Sequence, residues 1–245
     1  MWRTFFGFLW IMSYLIPGRR MRTWFQQEKL FDYGAKFATL REIYPRMPWN
    51  KMRLAKGGGS LAFIVNDTVF KVRKHNNEPD TVAKFTREKR ITDAIRPILP
   101  IAVPNIELIS ANKYIFYKSN LIHGRVLVDM PLKRIRENNE KIGKQIGTII
   151  YTLFNAKLTE LDDLRPNNTS DDKTGMVHGD MCSNIIVNPK TMDVVGIIDW
   201  EYANFSPLER EFIGIFRVRR KMRMTDIAPI AMIEYYKLRD KKRTK

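Results

Sequence analysis

A chain of 245 residues with 44% hydrophobic content holds enough apolar material for one large domain or two small lobes around a shared cleft, which excludes a compositionally disordered protein. Its 43 basic residues against 26 acidic ones leave a net charge of +17, which points to an anionic partner (nucleic acid, anionic lipid headgroups or phosphorylated sugars) or to simple solubility. The single cysteine, Cys182, excludes an intramolecular disulfide framework and fits a reducing cytoplasm, and the three histidines, His75, His123 and His178, are too dispersed for a zinc site.

The chain opens with an apolar run, Phe5 to Ile16, followed by Pro17-Gly18-Arg19-Arg20-Met21-Arg22. The run is shorter than the roughly 20 residues that a bilayer span needs. Only Arg3 precedes it as a charge and no small-x-small cleavage site follows, so a secretory signal fits poorly. Two readings stay open. Aromatic and aliphatic side chains could enter the headgroup boundary of the cytoplasmic membrane face while Arg19, Arg20 and Arg22 meet anionic lipid, or the segment is a helix packed on the body of the fold.

Trp24 to Pro48 reads as helical in part and ends in a proline-rich turn. Next come Met52 to Lys56, the bend Gly57-Gly58-Gly59-Ser60, the apolar stretch Leu61 to Val65, a turn at Asn66-Asp67 and a strand over Thr68 to Lys74. A glycine-rich bend between two strands lets backbone N–H groups approach a phosphate closely, because no side chain intervenes. On the following strand Val69, Lys71 and Arg73 share one face, while Phe70, Val72 and Lys74 share the other.

Thr81 to Ile95 has helical spacing at Val82, Phe85, Lys89, Thr92 and Ile95, with Arg87-Glu88-Lys89 in its body, and Pro97 and Pro100 end it. Another strand is expected to open at Val103 to Ile106, and a further one runs from Tyr114 to Leu121 into Ile122-His123-Gly124-Arg125. Pro131 to Leu158 carries a long helical pattern whose stripe, Ile135, Ile142, Ile146, Ile149, Ile150, Leu153 and Phe154, is ordinary core. Asp162 to Thr174, rich in Asp, Asn and Pro, is a loop.

The stretch from Val177 to Glu201 organises the rest. A polar cluster, His178, Gly179, Asp180 and Asn184, leads into the apolar run Ile185 to Val187, and after a turn at Asn188-Pro189-Lys190 a second run, Val194 to Ile198, delivers Asp199. A hairpin of this kind would bring the two acids into one site with an amide between them. Oxygen ligands so arranged suit Mg²⁺ together with substrate phosphates, and a hydroxyl acceptor needs one carboxylate to orient it and take its proton. On the hairpin alone, two solvated loop acids remain the alternative. Cys182 lies beside this cluster as a small residue in a tight loop rather than as a nucleophile.

The H-G-D of 178–180, the N-I-I-V of 184–187 and the G-I-I-D-W-E of 196–201 resemble the catalytic and metal loops of the aminoglycoside phosphotransferase and choline kinase family, the small-molecule branch of protein-kinase-like folds. The resemblance implies that Asp180 is catalytic and that Asn184 and Asp199 hold Mg²⁺. It further implies that Gly57, Gly58, Gly59 and Ser60 cover the phosphates of ATP or GTP, and that Lys71, held by Glu88, reaches them, with Lys74 as the fallback lysine. The strand ending near Leu121 resembles the hinge that reads the base, and Ser206 to Glu211 resembles a proline turn with a downstream acid, Glu211, that braces the catalytic loop. One departure stands out: relatives place the asparagine one residue further from the aspartate than Asn184 stands from Asp180.

The fold implied is α+β and two-lobed, with a small N-terminal antiparallel sheet lobe and a mainly helical C-terminal lobe. The expected divisions are an apolar and basic segment over 1–35, a nucleotide-binding lobe over 36–122 and a catalytic and acceptor lobe over 123–245. The implied activity is transfer of a γ-phosphoryl group to a hydroxyl of a small molecule or of a sugar- or lipid-linked acceptor. The shortened loop motivates a second reading, a nucleotide-binding regulator without transfer. A nucleic-acid-binding module is the third, and it fits less well because the basic runs at Arg217 to Arg223 and Lys237 to Lys245 lack interleaved aromatics or a reading motif.

Overall fold

The alternation of apolar and polar residues along Leu61 to Val65 and Thr68 to Arg73 builds a hairpin with one greasy face. In the computed structural model of the chain, which describes residues 12, 15, 32–56, 59–74, 80–166, 174–216 and 226–244, these become β2 (Ser60–Val65) and β3 (Thr68–Arg73), with β1 (Arg53–Lys56) antiparallel on the other side of β2. Asn66 takes the left-handed conformation that the tight turn requires, which asparagine tolerates. With β4 (Glu107–Ala111) and β5 (Tyr114–Asn120) the strands form one sheet in the order β1-β2-β3-β5-β4. Gly57 and Gly58, the basic run Arg217 to Arg223, and the apolar run Phe5 to Ile16 apart from Met12 and Leu15 lie outside the described residues.

The chain divides into two compact units, Met1–Thr81 with Leu108–Lys118, and Val82–Glu107 with Ser119–Lys245. In the first, α1 (Asp32–Ile43) covers one face of the sheet. Its Phe37 and Leu40 join Leu61, Phe63, Phe70, Val72 and Phe116 in one core cluster, and the cross-strand partners Leu61 and Val72, and Phe63 and Phe70, all point into it. Because side chains alternate, Lys71 and Arg73, paired with Ala62 and Ser60, turn to the opposite face. The buried Lys36 of α1 donates its ammonium to the Lys74 carbonyl at 2.7 Å, and the Lys74 N–H bonds the Gly59 carbonyl at 3.0 Å, which fixes the end of the hairpin next to the glycine bend.

In the second unit α2 (Thr81–Ile95) spans the residues expected for it. The long pattern expected from Pro131 breaks at Asn138, giving α3 (Leu132–Glu137) and α4 (Asn139–Phe154). The break has a local cause: the Asn138 side chain donates to the Arg134 carbonyl at 2.9 Å while its backbone leaves helical geometry. The apolar stripe of α4 is core as expected, packed with Ile227, Ala228, Ala231 and Tyr235 of the C-terminal helix, α6 (Ile227–Arg243). Gly143 and Gly147 allow this approach, since a Cβ would stand 2.6 Å from Ile230 at the first and 2.5 Å from the Ala231 carbonyl oxygen at the second.

Two small sheets hold the loops between them. β6 (Arg125–Val126), β8 (Ile185–Val187) and β9 (Val194–Ile197) form one, and β7 (Gly175–Val177) pairs with β10 (Asn204–Ser206) in the other. The helix α5 (Glu209–Phe216) follows. The strand expected from Val103 begins instead at Glu107; Ala102 makes a parallel bridge to Gly196, exchanging bonds with Val195 and Ile197 at 2.9 and 3.1 Å. The α+β class, with an antiparallel sheet in the N-terminal part and a helical C-terminal part, matches the expectation from sequence. No helix among the described residues is long and apolar enough to cross a membrane.

Candidate active site

β7 ends at Val177, and the chain then turns through His178, Gly179 and Asp180. His178 is fully buried against Trp200, with ring centroids 4.5 Å apart. Its Nδ1 accepts the Asp180 N–H at 3.2 Å, so Nε2 carries the proton and donates to the Ile198 carbonyl at 3.1 Å. The imidazole thus spans the two loops as a neutral strut. Gly179 takes φ +80°, and a Cβ there would lie 2.7 Å from the Tyr202 carbonyl oxygen, so only glycine fits this crossing.

The short turn Cys182–Asn184 leads into β8 and folds Asn184 back on the aspartate. Asn184 donates its Nδ2 to the Asp180 carbonyl at 2.8 Å and to the Asp180 carboxylate at 3.3 Å, and its Oδ1 is the amide atom that could hold a metal. Its backbone carbonyl accepts the Ile198 N–H at 3.1 Å. The exposed Ser183 hydroxyl lies 3.3 Å from each Asp180 carboxylate oxygen.

Immediately after Ile198, Asp199 adopts φ 63°, ψ 62°. That conformation costs a non-glycine residue on the order of 1–2 kcal/mol and persists only where the surroundings impose it. Here the flanking residues do so. Ile198 is bonded on both its N–H and its C=O, and Trp200 is fully buried with its indole N–H on the Ile197 carbonyl at 3.0 Å.

Asp180 follows β7, Asn184 precedes β8 and Asp199 follows β9; β8 and β9 pair as the expected hairpin, Asn184 bonds Asp180, and the Asp199 charge acts on Asp180. Their electrostatics agree. The Asp180 carboxyl lies above the usual carboxylate range, chiefly because it is partly buried; the neighbouring Asp199 charge raises it too, while the bonds from Ser183 and Asn184 pull it down. Two mutually repelling carboxylates and an amide oxygen form a hard oxygen donor set, and the residues present fit a Mg²⁺ whose remaining ligands are water and phosphate. Among the described residues no group of three or more His, Cys, Asp or Glu could hold a metal ion.

Glu211, at the start of α5, bonds the loop that runs from His178 to Asp180. Its Oε2 accepts the backbone N–H groups of His178, at 2.5 Å, and of Gly179, at 3.2 Å. The Oε1 atom is buried with no hydrogen-bond partner among the described residues, and burial pushes the carboxyl up to about 7. Cys182 is buried, and its thiol is pushed up to about 12 by burial and then by the Asp180 charge, which removes it as a nucleophile.

The remaining sequence candidates fall in both units. Lys71 is buried on the sheet face opposite the core cluster, with its ammonium 5.1 Å from the Tyr117 ring centroid, and Ser60 sits across from Arg73 in the same hairpin. Glu88 is fully buried on α2 in the second unit, a setting in which a carboxylate requires a partner. Two contributors escaped the sequence reading. Ser183 acts through a hydrogen bond that no spacing announces, and Arg87, seen only as a neighbour of Glu88, bonds backbone carbonyls more than a hundred positions away.

Comparison with known proteins agrees with this architecture. The model of the phosphotransferase enzyme family matches residues 132–238. Among solved structures, an ADP-bound aminoglycoside phosphotransferase, APH(2'')-Ib, aligns with a TM-score of 0.62 at 12% identity, covering 81% of each chain. A gentamicin complex of APH(2'')-IIa gives 0.62 at 13% identity over 80% of each chain. The macrolide 2'-phosphotransferase MphH from Brachybacterium faecium, as apoenzyme, gives 0.59 at 11% identity over 83% of each. No curated protein sequence matches the chain. The fold is that of these kinase-like phosphotransferases, as the resemblance implied.

Proposed function

We propose that the chain is an ATP- or GTP-dependent phosphotransferase that moves a γ-phosphoryl group to the hydroxyl of a small-molecule or sugar- or lipid-linked acceptor. The observation that carries the reading is the convergence of Asp180, Asn184 and Asp199 on loops tied together by His178 and by the Asn184–Ile198 backbone bond. The family model and the fold of its structural neighbours, solved with ADP or aminoglycoside, support the same chemistry.

In this reading Asp180 orients the acceptor hydroxyl and accepts its proton as the bond from oxygen to the γ-phosphorus forms and the bond to the bridging oxygen breaks. Its pKa, raised chiefly by burial, favours the proton acceptance that the step requires. Asn184 and Asp199 would hold Mg²⁺, which when bound neutralises charge on the phosphates. The family resemblance assigns Gly57 to Ser60 and Lys71 to the phosphates, and Glu88 to that lysine. Most of the catalysis is then positioning and charge complementarity rather than covalent chemistry.

The test is ADP or GDP release with Mg²⁺ across a panel of acceptors that includes aminoglycosides, macrolides, choline and homoserine, using the wild type and Asp180→Asn. Turnover should vanish in the variant while nucleotide affinity stays within about twofold, since the aspartate contacts the acceptor. Retained turnover removes Asp180 from the role. A second reading, a nucleotide-binding regulator, is favoured by one observation: the short loop draws the Asn184 amide onto the Asp180 carbonyl. Mg²⁺-dependent nucleotide binding with no transfer to any acceptor would select it.

A further inference from the structure

The helix that carries Glu88 also carries two arginines that reach away from it. Arg90 makes a two-pronged pair with Asp163, at 2.7 and 2.9 Å, on an exposed part of the surface. Arg87 does something different. Its guanidinium is half-buried and spends both terminal nitrogens on main chain, Nη1 on the Glu201 carbonyl at 3.2 Å and Nη2 on the Ala203 carbonyl at 2.5 Å. These carbonyls belong to the single turn Trp200–Tyr202 and the residue that closes it, immediately after Asp199.

Asp199 stands in a left-handed conformation that its own backbone disfavours, so its direction is set by what grips the chain on either side. On the upstream side the grip is His178 on the Ile198 carbonyl. On the downstream side Trp200 is buried, and Arg87 clasps the following turn. A planar guanidinium holding two carbonyls fixes the orientation of that turn as well as its position, which a single-point donor does not.

We propose that Arg87 is a positioning residue for the metal: by clasping the turn after Asp199 from α2, it sets the direction of the Asp199 carboxylate and makes the helix of Glu88 and the metal loop one mechanical element. The inference rests on the reading of Asp199 as a metal ligand and goes beyond it, because Arg87 bonds main-chain carbonyls of the turn that follows the ligand. Nucleotide binding and its requirement for Mg²⁺ should therefore respond separately to this residue.

The experiment measures binding of a non-hydrolysable nucleotide analogue, AMP-PNP or GMP-PNP, to the full chain by calorimetry at a series of Mg²⁺ concentrations. It compares the wild type, Arg87→Gln, Arg87→Lys and Arg90→Gln, with a thermal melt of each. Arg87→Gln should raise the Mg²⁺ concentration for half-maximal enhancement about tenfold or more, the usual range for loss of an outer-sphere support, and leave metal-free nucleotide affinity within about twofold. Arg87→Lys, able to reach one carbonyl, should fall between, and Arg90→Gln should keep the wild-type requirement. An unchanged requirement in folded Arg87→Gln, or in Arg87→Lys should the glutamine variant not fold, overturns the proposal. So does an equal shift in Arg90→Gln, which would mean that docking of the helix is all that matters. If the wild type itself binds no nucleotide in a Mg²⁺-dependent way, the functional reading falls first, and that result is distinguishable from the others.

Discussion

Replacing Glu211 by alanine removes the acceptor of two backbone donors in the loop that leads to Asp180, the N–H groups of His178 and Gly179. A buried donor left without a partner costs about 1–3 kcal/mol, so the pair would cost roughly 2–6 kcal/mol. Part of this is offset, because the substitution also removes a carboxyl that is desolvated and whose Oε1 has no partner among the described residues. A net loss of about 2–3 kcal/mol in a chain of this size lowers the melting temperature by roughly 5–10 °C. The replacement Glu211→Gln keeps an oxygen for both N–H groups and should stay near the wild type at acidic pH, where the wild-type carboxyl is protonated in the fold.

The wild type and Glu211→Gln also separate by pH. The Glu211 carboxyl ionises near 4.5 in the unfolded chain and near 7 in the folded one, because burial disfavours its charge. Between those values the folded state binds the extra proton, so this residue's contribution is fully present below pH 4.5 and is lost as pH rises through 7, a change of up to about 3 kcal/mol. Thermal melts of the wild type and Glu211→Gln from pH 4.5 to 8 should show that slope in the difference between them. A difference that is flat with pH, or an alanine variant that melts with the wild type, would refute the account of Glu211 as the buried brace of the loop.

Removing the Ser183 hydroxyl takes away a bond that holds the Asp180 carboxyl down, so in Ser183→Ala the acidic limb of the pH–rate profile should move to higher pH; an unmoved limb would show that the contact is incidental. Cys182 should react slowly with a thiol reagent in the folded protein at pH 8, and Cys182→Ala should keep activity within about threefold, because its thiol is buried and pushed up to about 12. Gly147→Ala places a methyl group 2.5 Å from the Ala231 carbonyl oxygen and must part α4 from α6, so it should destabilise by about 1–3 kcal/mol in chemical denaturation despite alanine's better helix propensity.

The site was legible where chemistry and period coincide. Ile185–Val187 and Val194–Ile197 are apolar runs bounded by a turn and by polar residues, and that pattern alone predicts a hairpin with acids at its margins. The face of Lys71 followed from alternation along β3. The break at Asn138 was hidden, because the apolar stripe continues in helical register across it and the side-chain bond that ends α3 leaves no periodic trace. Arg87 was hidden for another reason: it binds carbonyl oxygens, which every residue possesses, so neither partner is marked by its side chain.

The central claim, that Asp180, Asn184 and Asp199 meet around a divalent cation and a nucleotide, is tested most directly by electron spin resonance of Mn²⁺ in the presence of the nucleotide analogue. The account predicts saturable Mn²⁺ binding by the wild type in the ternary complex and at least tenfold weaker binding by Asp199→Ala at unchanged metal-free nucleotide affinity. Equal Mn²⁺ affinity in the two proteins would contradict it.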